Sequence, residues 1–144
     1  MPPPDLPPPD LHHAAAAGDT DQHTGQRLAV LAESLYLANL LVAPGLAFAV
    51  LGWLWLKHRH SAPPLARQHL RQTLWVSVVA GGLIVGLSGA LVLLGGWQGP
   101  WTWVLVLTYF VCIHGTLVLL GMVGLSKAMA GQPWRFPVVG PREA

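Results

Sequence analysis

From Gln72 through Ser126 the chain carries no Asp, Glu, Lys or Arg, and a second uncharged stretch runs from Ser34 through Leu56. An ordinary soluble domain has roughly a quarter of its residues charged. It does not leave so long a surface bare, so the solvent around these stretches must be lipid. Composition agrees: apolar residues make up 53% of the 144 and charged residues only 10%, too few to cover a core in water. The length suits one domain. The net charge of +2 is too small to suggest a nucleic-acid partner.

Roughly 20 apolar residues cross a hydrocarbon layer of about 30 Å. By that measure the sequence predicts an all-α integral membrane protein with three transmembrane helices, at about 35–56, 73–95 and 101–126. In the first span, Pro44 removes a backbone N–H and frees the Leu40 carbonyl, which predicts a kink. Helix is expected to begin earlier, near Gln26. In the link KHRHSAPPLARQH, Ser61 is the expected N-cap, with Pro63 or Pro64 in the first turn. The linker GGWQGP is short enough to make spans two and three a tight antiparallel hairpin, and Gly and Pro within 130–133 end the last helix. Residues 1–26 repeat PPPDL and then run through Ala, His, Asp, Gly and Thr. They are expected to form a disordered tail, and they lack the basic start and apolar run of a signal peptide. The three-span domain is then 27–137, with a short C-terminal tail at 138–144.

Orientation follows from Lys and Arg. The first link holds Lys57, Arg59, Arg67 and Arg71, and the C-terminal tail holds Lys127, Arg135 and Arg142. The second linker holds none, and the N-terminal tail holds only Arg27 among five acidic positions, Asp5, Asp10, Asp19, Asp21 and Glu33. An odd number of crossings puts the termini on opposite sides. The expected arrangement is a bacterial inner-membrane protein with its N-terminus outside and its basic link and C-terminus in the cytoplasm. The seven tryptophans fall near the predicted interfaces, where an amphipathic indole is best placed.

Candidate chemistry is sparse. His114 lies near the middle of the third span, and an ionisable group at membrane depth marks a functional site by default. It could be an axial ligand to haem or a (bacterio)chlorophyll, a proton relay, or a substrate contact. Against these stands one interhelical hydrogen bond, with the Leu40 carbonyl as partner. Asn39, Ser88 and Thr108 share a depth and could line a polar path or simply bond across helices. The small residues Gly82, Gly86, Gly89 and Ala90, with Gly121 and Gly124, form faces where helices can approach closely. They serve either internal packing or docking of a partner or second copy. Lys57, Arg59, Arg67 and Arg71 suit anionic lipid headgroups. His58, His60 and His69 give a weak metal signal, so no metal site is assigned. Cys112 has no partner for a disulfide and no neighbouring cation to activate it.

The segments HLRQTLW and AMAGQPWRFPVVG resemble the Tic-twenty-like family of small bacterial membrane proteins, kin of a chloroplast inner-envelope import component and of unassigned function. That family typically opens its second helix with H-x-x-E-A-L-N-F-Q and closes with A-x-x-G-x-x-Y-R-Y-P. Here His69 and Leu74 match the first pattern. Ala128, Gly131, Trp134, Arg135, Phe136 and Pro137 match or replace conservatively the second. The resemblance covers about 28–139 and implies a multi-span protein with a transport-related alternative.

The residues contain no nucleophile with a base at usable spacing, no paired carboxylates and no phosphate-binding glycine loop, so an enzyme is not expected. The expected function is that of a non-enzymatic inner-membrane accessory or assembly subunit acting through helix–helix contacts, without a cofactor. Membrane lipid and other membrane subunits, or self, are the expected partners. The alternatives are an oligomeric transport component and a haem- or chlorophyll-binding subunit using His114.

Overall fold

The computed structural model describes residues 9–137, with side chains from residue 18 onward. All regular structure within that range is helical: α1 Pro9–Leu41, α2 Leu46–His58, α3 Pro64–Gly81, a π-helical segment Gly82–Leu87, α4 Ser88–Gly95 and α5 Pro100–Met129. The segment from Pro64 to Gly95 is continuous. It and α5 are the two helices long and apolar enough to cross a membrane, and α2 is a shorter apolar helix.

The helix begins well before Gln26. The described part of the expected disordered tail, from Pro9 onward, belongs to α1. Its run of four alanines, the best helix former, explains why. Residues 1–8 and 138–144 lie outside the described range.

The larger correction concerns the first span. The expected kink at Pro44 is a reversal. Helix stops at Leu41 and resumes at Leu46, and Gly45 between them adopts φ 87°, a left-handed conformation open to glycine. The Asn39 side chain accepts a hydrogen bond from the Gly45 N–H at 3.0 Å and closes the turn. Ala32 of α1 packs in one cluster with Leu51 and Leu54 of α2 and Leu70 of α3. In an unbroken helix Ala32 and Leu51 would stand about 28 Å apart. Residues 35–56 therefore form the body of a helical hairpin and not one crossing.

The tip of this hairpin, Pro44 and Gly45, shares a hollow with Ser77, Val78, Gly81 and Gly82, halfway along the Pro64–Gly95 rod. Two helices long and apolar enough to cross a membrane, with a helical hairpin packed against them, replace the three expected spans, and the parity argument changes with them. Gly25 near the start of the buried part of α1 packs against Pro63 of the link, and Gln26 Nε2 donates to the carbonyl of Met129 at the end of α5. The middle of α1, the link and the end of α5 thus meet at one end of the bundle, where the three-span reading put the N-terminal segment on the opposite side.

Beyond the hairpin tip, two helices remain among the described residues. The π-helical segment and α4 contain no buried residue. They meet α5 through a turn in which Gly95 and Gly99 close on Thr102, and Trp103 Nε1 donates to the Trp97 carbonyl at 3.0 Å. Ser61 is not a cap. Pro63 holds the N-cap position of α3 without a side-chain bond, and Pro64 begins the helix.

Candidate functional site

The polar centre of the molecule lies where α1, α3 and the segment after α5 meet. α1 presents Ala29, Ala32, Glu33 and Tyr36 inward, all with no exposed surface, at the spacing of one helical face. α3 answers with Ala66, His69, Leu70, Gln72, Thr73 and Val76. Glu33 and His69, both fully enclosed, join through Glu33 Oε1 and His69 Nδ1 at 2.7 Å. Two small residues on α5 make room for this: a Cβ added at Gly124 would stand 2.6 Å from Glu33 Oε2, and one at Gly121 2.6 Å from the Tyr36 ring.

The other imidazole nitrogen fixes the protonation. His69 Nε2 lies 3.2 Å from the Gln132 carbonyl oxygen, which can only accept, so Nε2 carries a hydrogen. The bond between Nδ1 and Oε1 then needs one proton, resting on either atom. Without it, two acceptors would face each other in an enclosed site. Burial pushes the Glu33 carboxyl above the ordinary carboxylate value, while its hydrogen bond and charge interaction with His69 partly offset the rise.

After Ala130 the chain turns at Gly131, φ 65°, and residues 131–137 fold back as a strap over α1 and α3. Three strap residues at alternate positions are bound by their backbone. The Gln132 carbonyl receives His69, the Trp134 carbonyl receives Gln68 Nε2 at 3.4 Å, and the Phe136 N–H donates to Gln72 Oε1 at 3.2 Å. Phe136 is 1% exposed and meets Tyr36 edge to face at 5.4 Å. Tyr36, Val76, Ala80 and Leu117 complete its pocket. Lys127 Nζ holds the Gln132 side chain at 2.9 Å. Glu33 Oε2, Gln72 Nε2, Ser77 Oγ and Trp134 Nε1 are enclosed here without a hydrogen-bond partner.

The residues singled out from sequence fall elsewhere. His114 stacks on Phe110 with ring centroids 5.0 Å apart, and its Nδ1 is enclosed without a partner. The expected bond to the Leu40 carbonyl is not formed. Gly121 and Gly124 pack internally, whereas Gly82, Gly86 and Gly89 have no side chain or backbone of another element near them, and Ala90 lies half-buried beside them. Asn39 is engaged by its own turn and Thr108 is exposed, so no polar path is assembled with Ser88. Lys57 lies over the Trp53 ring at 4.9 Å and Arg59 over Trp55 at 5.6 Å. Arg67 donates to the Ala62 carbonyl at 3.0 Å, and Arg71 is exposed. All four stand on the link or on the first turns of α3, at the end of the bundle where Gln26 meets Met129. Among the described residues, no three His, Cys, Asp or Glu side chains gather as a metal site would require.

Glu33 was missed because it reads as one more charge of an acidic tail, and His69 because it sits among arginines. The one available signal was the pattern Ala29, Ala32, Glu33, Tyr36, which places the carboxylate on the apolar face of its helix.

The model of the magnetosome magnetite crystal formation protein family (MamF/MmsF) matches residues 25–142. The match covers the hairpin, both long apolar helices and the strap. It overturns the Tic-twenty-like resemblance, whose motif residues Ala128 to Pro137 lie within the matched region and here form the turn and strap. No curated protein and no solved structure matches the chain.

Proposed function

The chain belongs to the magnetosome magnetite crystal formation protein family, and from that premise we propose that it is a non-enzymatic accessory protein of magnetite crystal formation in the magnetosome membrane. The observation that carries this reading is the extent of the match, from Gly25 at the start of the packed part of α1 to beyond Phe136 of the strap. The membrane assignment is supported by the two long apolar helices.

The division of the surface supports action through contacts with other membrane components. One end is polar and closely packed, with Lys57, Arg59, Arg67 and Arg71 placed to meet anionic headgroups. The basic end suits the cytoplasm, which would put the start of α1 there too. The other half is a two-helix rod with Leu93 and Leu94 more than four-fifths exposed. It is bare along Gly82, Gly86 and Gly89, where a helix of another magnetosome membrane subunit or a second copy can lie close.

Deleting the coding sequence in the bacterium that makes the protein, and measuring crystal number, size and shape by electron microscopy, tests the proposal. Altered crystals restored by the full chain are expected, with the tagged protein recovered in the magnetosome membrane fraction. Unchanged crystals, or a protein confined to other membranes, would overturn it.

A further inference from the structure

The strap is bound in the manner of a docked peptide. Its contacts fall at Gln132, Trp134 and Phe136, every second residue, as an extended segment presents them. Two of the three hydrogen bonds are accepted by strap carbonyls and the third is donated by a strap N–H, so side chains of α3 recognise backbone, and one aromatic side chain anchors the segment. Beneath it lies an apolar groove formed by Tyr36, Val76, Ala80 and Leu117.

The hold on this segment runs through the Glu33–His69 pair. His69 can place its Nε2–H on the Gln132 carbonyl only in the tautomer or charge state that leaves Nδ1 to share a proton with Glu33. If that proton leaves, an enclosed carboxylate faces a lone pair, or the imidazole must take the other tautomer and give up Gln132. Both outcomes weaken the strap at its first contact. The remaining contacts are long or incomplete, since Gln68 reaches Trp134 at 3.4 Å and both Gln72 Nε2 and Trp134 Nε1 lack partners. A partly satisfied buried network is the less firmly held kind. Few other titratable groups surround the pair. They are Tyr36 one turn along α1, Lys127 of α5, bound to the Gln132 side chain, and Arg135 on the strap. Arg67 and Arg71 of α3 are exposed, and α2 turns Leu51 and Leu54 to α1.

We propose that residues 131–137 are a latch over a peptide-binding groove, held shut by the single proton shared between Glu33 and His69 and released when that proton is lost. Release bares the groove that Phe136 fills. This response belongs to the end of the molecule that carries the basic link, and it does not rest on the proposed function.

Hydrogen exchange read by mass spectrometry on the full chain in lipid nanodiscs tests this directly, across a pH series corrected for intrinsic exchange. In the wild type, exchange in the peptide covering 130–137 should accelerate on the alkaline limb by about tenfold per pH unit, while α3 and α5 stay protected. Glu33→Gln, whose amide can donate permanently to His69 Nδ1, should abolish the alkaline step and keep the strap protected. A flat wild-type profile, a step accompanied by loss of α5 protection, or an equal step in Glu33→Gln would each overturn the latch. Should Glu33→Gln fail to fold, Glu33→Asp withdraws the carboxylate by one methylene and should move the step to lower pH. An unmoved step would then overturn the proposal.

Discussion

Two histidines in this chain occupy opposite situations. His114 lies near the middle of α5, stacked on Phe110, with an enclosed Nδ1 that has no hydrogen-bond partner. His69 lies at the packed end, and both of its ring nitrogens are engaged. The energetic consequences fall on His69 and its partner. Burial raises the Glu33 carboxyl, so the folded chain holds this proton more tightly than the unfolded chain does. The contribution is therefore fully present below the ordinary carboxylate value and is lost as pH rises through the raised one. Unfolding in mixed micelles should show stability declining on that alkaline side in the wild type, with the decline absent from Glu33→Gln. Phe136→Ala removes a ring that is almost fully enclosed and should cost about 3–5 kcal/mol in the same assay. A change below about 1 kcal/mol would mean that the strap contributes little to the fold.

At the scale of elements, the glycines divide by what surrounds them. Gly121→Ala and Gly124→Ala thrust a methyl at Tyr36 and at the Glu33 carboxylate, and each should destabilise the fold by about 1–3 kcal/mol. Gly82→Ala and Gly86→Ala meet open space and should leave the stability of the isolated chain within about 0.5 kcal/mol. Effects of these two on crystals in cells would then report contacts with other components. Gly45→Ala, at φ 87°, should cost about 1–2 kcal/mol and loosen the hairpin tip. That tip shows where sequence reasoning failed. Residues 34–56 have the length and polarity of a crossing, and hydropathy does not distinguish one long helix from two short ones. Pro44 alone predicts a kink. Pro44 followed by Gly45, with Asn39 able to accept from the turn, is a reversal signal, and it lies inside a stretch long enough to cross a bilayer. The expected spans at about 73–95 and 101–126 contain no such reversal, and they fall within the two long apolar helices, Pro64–Gly95 and Pro100–Met129.

For the whole molecule, the basic link, the uncharged outer linker and the basic C-terminal tail keep the same relative sides whether the first hydrophobic stretch crosses or returns. Neither the lysines and arginines after Leu56 nor the tryptophans could therefore reveal the hairpin. The two readings differ in the side given to the N-terminal segment, where the sequence offers Arg27 against a few acidic residues and the parity of the crossings. The Glu33–His69 site was hidden for the same reason: a first helix running the other way would never bring residue 33 to residue 69. The decisive measurement is the sidedness of three positions. Gln22, His60 and Gln98 are exposed, and single cysteines placed there in a Cys112→Ser background can be labelled with a membrane-impermeant maleimide in sealed and in detergent-permeabilised membrane vesicles isolated from the cells. The fold predicts that Gln22→Cys and His60→Cys respond alike, and that Gln98→Cys responds oppositely. Labelling of Gln22→Cys together with Gln98→Cys, and opposite to His60→Cys, would contradict it.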